Sequence, residues 1–312
     1  MAESAPLCGT DTAPVPPGAA AEWFSGAGGA RLRAALFPAE GTPRGSVVLS
    51  GGRTEPIEKY FEVARELTSR GFVVLAHDWR GQGLSHRLLP DRLKGHAAGA
   101  DDFVADYAAL LATFEARLPK PWLAVGHSMG GCLTMLVLAR GERRFAGAVL
   151  SAPMLGLHTS PVPPPIARLL AGTLSALGRA AASTPGGGSE SFETNLLTHD
   201  PRRYARNVGQ TAACPDLALG PPTWGWLAFA FAAINELQKG PGVPKVDTPV
   251  TIVAAGADRI VDSAGARLVA SRLPHGRYVA APGAYHEVLQ ETDEIRAVFW
   301  REFDAMAATV AP

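Results

Sequence analysis

The clearest chemical signal in the chain is a serine within the sequence GHSMG at residues 126–130. This Gly-x-Ser-x-Gly motif follows an apolar run at residues 122–126 and precedes an apolar helical stretch at residues 128–140. A strand, a tight turn and a helix in this order are typical of a nucleophile elbow, because glycines leave room for a turn that exposes the serine hydroxyl. We therefore predict that Ser128 is a nucleophile.

A serine nucleophile needs a general base, and the base needs an orienting carboxylate. When the serine lies on a nucleophile elbow, the acid follows it in the chain and the histidine comes last. Asp258 directly follows the apolar run at residues 250–255, where a predicted strand ends. Asp262 stands beside the predicted helix 264–273 and is better placed to cap it. We predict that Asp258 is the orienting acid.

The predicted base is a histidine near the end of the chain. Four histidines follow the serine, namely His158, His199, His275 and His286. The first two fall in a long insertion, and the third precedes the last predicted strand at residues 277–281. Only His286 follows a strand end, so we predict that it is the base.

Acyl transfer also requires donors for the oxyanion. One is expected to be the backbone N–H of Met129, directly after the nucleophile. The other should come from the loop SGGRTE at residues 50–55, where two glycines allow the backbone to approach a substrate closely. We expect this donor to be the N–H of Arg53, with Gly52 as the alternative.

Short apolar runs alternate with helical stretches along most of the chain, which favours an α/β fold with a mostly parallel, doubly wound sheet. Eight strands are predicted, at residues 22–25, 31–37, 46–50, 72–77, 122–126, 146–151, 250–255 and 277–281. Helices are predicted at residues 55–70, 100–118, 128–140, 263–273 and 287–306.

The alternation stops within a segment rich in proline, glycine and alanine, and we assign residues 156–245 to an inserted helical cap. Residues 21–155 and 246–312 then form the core, and residues 1–20 a disordered tail. The cap should lie above the carboxyl ends of the strands, where α/β sheets bind ligands. Trp224, Trp226 and Phe229 are candidates for lining an apolar substrate channel, although they could equally bury the cap against the core.

The composition limits the function classes. With 29 basic and 29 acidic side chains, the chain lacks the positive excess of a nucleic-acid-binding protein. Its three cysteines, Cys8, Cys132 and Cys214, match no zinc or disulfide spacing, so we expect reduced thiols. Neither a signal peptide nor a membrane-spanning run is apparent. We expect a cytoplasmic protein, with peripheral contact at the inner membrane and the oligomeric state left open.

Several motifs carry a family resemblance: GGRTEPIEKY at residues 51–60, DWRGQGLS at 78–85, GADRIVD at 256–262 and GAYHEVLQE at 283–291. With GHSMGG, they make residues 20–308 resemble the lysophospholipase and monoacylglycerol lipase branch of the α/β-hydrolases, in particular bacterial lysophospholipases of the L2 type. The resemblance implies the α/β-hydrolase fold, the same triad, the Arg53 donor and no metal or organic cofactor. Many monoacylglycerol lipases have His-Gly where this chain has Gly51-Gly52.

The function implied by the resemblance is hydrolysis of a lipid-like ester, either a lysophospholipid or a monoacylglycerol. Alternatives on the same triad are a short-chain esterase and a proline-iminopeptidase-like enzyme. The latter needs an acidic pocket for a substrate amine, for which the cap offers Glu190, Glu193 and Glu236. A non-catalytic binding protein of the same fold is the remaining alternative.

Overall fold

The structure, a computed structural model, describes residues 3–185 and 191–311 of the 312-residue chain. Its centre is one sheet of nine strands in the order β1-β2-β3-β5-β4-β6-β7-β8-β9. The strands are β1 (Glu3–Ala5), β2 (Ala20–Ser25), β3 (Arg31–Phe37), β4 (Gly45–Ser50), β5 (Phe72–His77), β6 (Trp122–His127), β7 (Phe145–Ser151), β8 (Val250–Ala255) and β9 (Gly276–Ala281). From β5 to β9 neighbouring strands are parallel, and β1, β2, β3 and β5 pair antiparallel.

Helices cover both faces of the sheet. They are α1 (Phe61–Ser69), α2 (Asp101–Phe114), α3 (Ser128–Ala139), α4 (Pro164–Leu174), α5 (Pro201–Ala213), α6 (Trp224–Lys239), α7 (Ser263–Arg272) and α8 (Asp293–Val310). One apolar layer joins the sheet to α1 and α8, and the other joins it to α2, α3, α6 and α7. Strands β4, β6 and β8 are buried along their whole length, which explains why their sequences are continuously apolar. The predicted α/β-hydrolase fold is confirmed.

The N-terminal segment differs from the prediction of a disordered tail. Residues 3–5 form β1, which pairs with β2 and adds a ninth strand to the eight that were predicted. Further along, the amide of Cys8 donates to the carboxylate of Glu58 at 3.2 Å, and a guanidinium nitrogen of Arg33 donates to the carbonyl of Pro6 at 2.9 Å. These contacts join the segment to residues distant in sequence, so its local composition could not reveal them.

The prediction of three reduced thiols is wrong for two of them. Cys8 and Cys214 form a disulfide whose Cα atoms lie 6.5 Å apart, across a sequence separation of 206 residues. Because Cys214 follows α5 directly, the bridge joins the N-terminal segment to the insertion between β7 and β8. Cys132 is a buried free thiol. Disulfides persist in oxidising compartments, so this bond gives no support to the expected cytoplasmic location.

Helices α4, α5 and α6 lie in the long segment between β7 and β8. Helix α6 packs against α3, α4 and α7, and α5 packs against the short helix Ile57–Tyr60 that precedes α1. Within residues 3–185 and 191–311, no helix combines the length and the apolar character needed to cross a bilayer.

Candidate active site

Ser128 lies at the sharp junction between β6 and α3. Its φ angle is 49°, a conformation that L residues adopt rarely and that is often found at functional sites. The flanking glycines are required for this turn: a Cβ on Gly130 would lie 2.2 Å from the carbonyl oxygen of Ser50, and one on Gly126 would lie 2.9 Å from the Cα of Gly131. The Gly-x-Ser-x-Gly motif therefore has the geometry of a nucleophile elbow.

The three residues predicted as a triad lie together at the carboxyl edge of the sheet. Nε2 of His286 is 2.9 Å from Oγ of Ser128, and Nδ1 of the same ring is 2.8 Å from Oδ2 of Asp258. Ser128 and His286 are only 9% and 5% exposed, respectively. The hydroxyl, the imidazole and the carboxylate thus form a continuous, largely dry hydrogen-bonded chain.

The environment of Asp258 favours its ionised form. Burial opposes ionisation, but the hydrogen bond and charge of His286 outweigh it, together with the amides of Ile260 and Val261 at 2.8 and 2.9 Å from Oδ1, so the pKa of Asp258 is lowered. An ionised carboxylate can only accept a hydrogen bond. The Nδ1 atom of His286 therefore carries the proton, and Nε2 is free to accept the proton of Ser128.

Asp262, the alternative acid, has a different position. Its Oδ1 accepts the amide of Ala264 at 2.9 Å and caps α7, which begins at Ser263. The two aspartates therefore have different roles: Asp258 forms a hydrogen bond with the imidazole of His286, and Asp262 caps the N-terminus of α7.

The loop after β4 lies opposite Ser128, as required of a second oxyanion donor. The amide of Gly52 donates to the carboxylate of Glu55. Since Gly52 is engaged in this way, the next amide, that of Arg53, is the better candidate. The amide of Met129 belongs to the first turn of α3, where N–H groups lack helical partners and the helix end is positive.

A cavity of about 190 Å³ opens over the serine. Its apolar lining consists of Met129, Met154, Leu157, Leu197, Trp226, Ile260 and Val261. Trp226 lines this cavity, and its role as a substrate contact stays a prediction. Phe229 instead packs in the core against Phe103, with ring centroids 5.0 Å apart, and the residues around the cavity do not include Trp224.

A second cavity of about 560 Å³ adjoins the first at Leu157, which lines both. It lies between α4 and α6, and its apolar lining includes Pro164, Leu169, Phe231 and Ile234. Leu157 therefore lies between the cavity at Ser128 and the larger one beside α4 and α6.

A buried charge cluster beside the serine was missed from the sequence. Lys59 Nζ contacts carboxylate oxygens of both Glu55, at 2.8 Å, and Glu287. Burial opposes the ionisation of Glu55, but Lys59 and His127 outweigh it and lower the pKa of Glu55 to about 2, whereas burial raises the pKa of Glu287. The spacing of Glu55 and Lys59 was a weak signal, but Glu287 lies 228 residues beyond Lys59, too far for local reasoning.

The loop that carries His286 is held by the segment between β7 and β8. The amides of His286 and Glu287 donate to the carbonyls of Leu196 and Leu197 at 3.3 and 2.9 Å. Thr198 adds a hydroxyl hydrogen bond of 2.7 Å to the carbonyl of Gln290. The segment preceding α5 therefore helps to position the imidazole.

Of the acidic residues that the peptidase alternative requires, the two that the structure describes do not line the catalytic cavity. Glu193 is exposed, and Glu236 pairs with Arg140 at 2.8 Å, while Glu190 lies outside the described residues. In the part of the chain that the structure covers, His, Cys, Asp and Glu side chains form no group suited to hold a metal ion.

Three comparisons with known proteins identify the family of the chain. The family model described as serine aminopeptidase, S33, matches residues 41–293. The chain is 34% identical to lysophospholipase L2 of Escherichia coli K12, over 88% of this chain and 83% of that protein. It is 29% identical to a monoacylglycerol lipase of Mycolicibacterium smegmatis, over 87% of this chain and 91% of that protein.

Among solved structures, a soluble variant of monoglyceride lipase from Saccharomyces cerevisiae superposes with a TM-score of 0.77 at 21% identity, covering 99% of this chain and 100% of that one. A carboxyl esterase of Bacillus coagulans gives a TM-score of 0.75 at 16% identity, covering 94% and 99%. At these identities the likeness concerns the fold alone.

The fold and the comparisons define a serine hydrolase of the α/β-hydrolase class. The chain belongs to the serine aminopeptidase S33 family, which its sequence matches over most of its length, and within it to the relatives of lysophospholipase L2.

Proposed function

We propose that this protein hydrolyses the ester of a lysophospholipid or a monoacylglycerol through an acyl-enzyme on Ser128. The observation that carries the proposal is the hydrogen-bonded chain from Ser128 through His286 to Asp258, which opens into an apolar cavity. Relatives named lysophospholipase L2 and monoacylglycerol lipase support this choice of ester.

In the first step, Oγ of Ser128 attacks the ester carbonyl while its proton passes to Nε2 of His286. The carbonyl oxygen becomes an oxyanion, which the amides of Met129 and Arg53 stabilise. His286 then gives the proton to the departing alcohol, which leaves an acyl group on Ser128. In the second step a water molecule, deprotonated by His286, attacks the acyl group, and the fatty acid and free Ser128 result.

The acyl chain extends from Ser128 past Leu157 into the larger cavity between α4 and α6. The apolar side chains in the lining of both cavities support this path, since they offer a hydrocarbon chain apolar surface to pack against. A short-chain esterase would have no use for the larger cavity, and this favours the lipid substrate.

An aminopeptidase reaction, which the printed description of the family suggests, receives less support. A peptide amine requires a carboxylate that is free to bind it. Glu55 and Glu287 line the catalytic cavity, but both carboxylates already contact Lys59, so neither is without a cationic partner. Of the residues described, the cavity lining provides no further acid.

We also propose that the cap contacts a membrane surface, where lysolipids and monoacylglycerols reside. Helix α4 leaves Ile166 51% and Leu169 69% exposed, next to the cationic Arg168. An exposed apolar face with a cation suits the boundary of a bilayer. Co-sedimentation with anionic vesicles should weaken in the double variant Ile166→Ser/Leu169→Ser and be retained in Leu268→Ser, a control for the exposed leucine on α7. Equal binding by all three proteins would argue against this contact.

The experiment that tests the function is a substrate panel. Lysophosphatidylethanolamine, monoacylglycerol, butyryl esters and aminoacyl amides are compared for the wild type and Ser128→Ala. We expect fatty acid release from at least one of the two lipids, and its loss in the variant. Hydrolysis confined to aminoacyl amides or butyryl esters would refute the lipid assignment.

A further inference from the structure

Arg53 has a second feature besides its backbone amide: its guanidinium lies beside the catalytic cavity without a counter-charge. Its Nη2 donates to the carbonyl of Gly220, and the group lies 5.4 Å from the ring centre of Trp226. Its Nε is buried and finds no hydrogen-bond partner among the residues that the structure describes. A buried donor without a partner is rare in proteins and costs free energy unless a ligand or water satisfies it.

Two other cations near the cavity, Arg80 and Lys59, are paired with acids. Arg80 contacts Asp102 at 2.7 Å and Asp106 at 2.5 Å, and Lys59 contacts two glutamates. Arg53 forms no ion pair with any acid in residues 3–185 or 191–311, and burial alone lowers its pKa to about 10. The guanidinium therefore remains charged at neutral pH and uncompensated.

The position of the guanidinium connects it to the reacting atoms. Arg53 lines both the catalytic cavity and a smaller cavity of about 10 Å³ next to it. The two cavities also share Met129 and Trp226. Met129 directly follows Ser128, so an anion bound by Arg53 would lie close to the scissile ester. The catalytic cavity contains no other arginine or lysine among the residues that line it.

We propose that the side chain of Arg53 binds the phosphate of a lysophospholipid and thereby makes this the preferred substrate over a neutral monoacylglycerol. The inference rests on the proposed function. A lysophospholipid carries its phosphate on the same glycerol as the scissile ester, close enough to span from Ser128 to a neighbouring side chain. A guanidinium matches phosphate in shape and charge, and its unpaired Nε adds a donor for a phosphate oxygen.

The first test compares two substrates with one acyl chain, lauroyl-lysophosphatidylethanolamine and monolauroylglycerol. In Arg53→Met, kcat/KM for the phospholipid should fall about 10- to 100-fold more than for the glyceride, because a charge-assisted hydrogen bond is lost. Arg53→Lys should restore part of the preference, since it keeps the charge. Arg267→Met, which removes an exposed cation on α7 that lines neither cavity, should leave the ratio unchanged.

A second test measures binding without hydrolysis. Dodecyl phosphate should slow labelling of Ser128 by a fluorophosphonate probe in the wild type, and less so in Arg53→Met. Protection by dodecanoate, a carboxylate of the same chain length, shows whether the site binds any anion or phosphate in particular. Protection by the neutral dodecyl glycerol ether measures the contribution of the hydrocarbon chain alone. If dodecanoate protects as well as dodecyl phosphate, the assignment to phosphate is wrong.

The outcomes separate the inference from the proposed function. If the wild type hydrolyses neither lipid, the proposed function fails, and the protection experiment still decides whether Arg53 binds phosphate. An equal loss on both lipids, with a lower melting temperature and unchanged protection by dodecyl phosphate, would assign Arg53 to the contact with Gly220 and overturn the inference.

Discussion

Asp258 and Asp262 are four positions apart, yet only Asp258 reaches His286, with an oxygen-to-nitrogen distance of 2.8 Å. Asp262 turns the other way and caps α7. Asp258 is thus positioned to act in catalysis and Asp262 to stabilise a helix. Substituting each of them by asparagine gives a matched pair of variants.

Asp258→Asn should lower kcat by roughly 10⁴-fold, because the amide no longer holds His286 in the tautomer that accepts the serine proton. Asp262→Asn should retain near wild-type activity, because asparagine caps a helix about as well as aspartate. Steady-state kinetics on one lipid ester checks both. Comparable losses in the two variants would contradict the assignment of the acid.

Leu157→Trp should obstruct the proposed path of the acyl chain from the catalytic cavity into the larger one. We expect kcat/KM for palmitoyl esters to fall by roughly one order of magnitude while butyryl esters are little affected, since only the longer chain must pass this point. Leu157→Met, which conserves volume, is the control. The same loss on both esters would place the acyl chain elsewhere.

The local pattern of the sequence was sufficient to predict eight of the nine strands and the residues of the elbow and the candidate triad, which the structure brings together. The tight turn at Ser128 could be predicted because Gly126 and Gly130 have no side chains that would obstruct it. Asp258 and His286 could be chosen because each comes after the end of a predicted strand. The cluster of Glu55, Lys59 and Glu287 could not be predicted in this way, because it depends on which loops meet in space.

The N-terminal strand and the disulfide were missed for a related reason. Strand β1 is three residues long and gains its stability by pairing with β2, not from its own composition. Cys8 and Cys214 are 206 residues apart, so only the path of the chain brings them together. Trp224, Trp226 and Phe229 show the same limit: their apolar character predicts burial, but the packing of α6 determines which ring reaches the cavity.

The disulfide should stabilise the fold by restricting the unfolded chain. Cys8→Ser/Cys214→Ser is expected to lower the free energy of unfolding by about 2–4 kcal/mol. Chemical denaturation with and without a reductant provides the measurement, and the reductant should have no effect on the double variant. Three titratable thiols in the natively purified, denatured wild type would show that the bond is not formed.

His77 should make the protein sensitive to mild acid. Burial lowers its pKa from 6.5 to about 3. At pH values between these two pKa values, the imidazole is protonated in the unfolded chain and neutral in the folded protein. Stability must then fall as the pH decreases through this window, by about 2 kcal/mol for this histidine between pH 7 and pH 5.

Denaturation at both pH values tests the contribution of His77. His77→Gln should lose about 2 kcal/mol of the pH dependence, whereas His275→Gln, at an exposed position, should keep all of it. An unaltered dependence in His77→Gln would mean that this imidazole is not held neutral.

The most direct test of the account is to locate the covalent adduct after reaction with a fluorophosphonate. Peptide mass spectrometry should find a single modified residue, Ser128, with no labelling in Ser128→Ala and much slower labelling in His286→Ala. An adduct on another residue, or ester hydrolysis retained by Ser128→Ala, would contradict the central claim that Ser128 is the nucleophile and His286 its base.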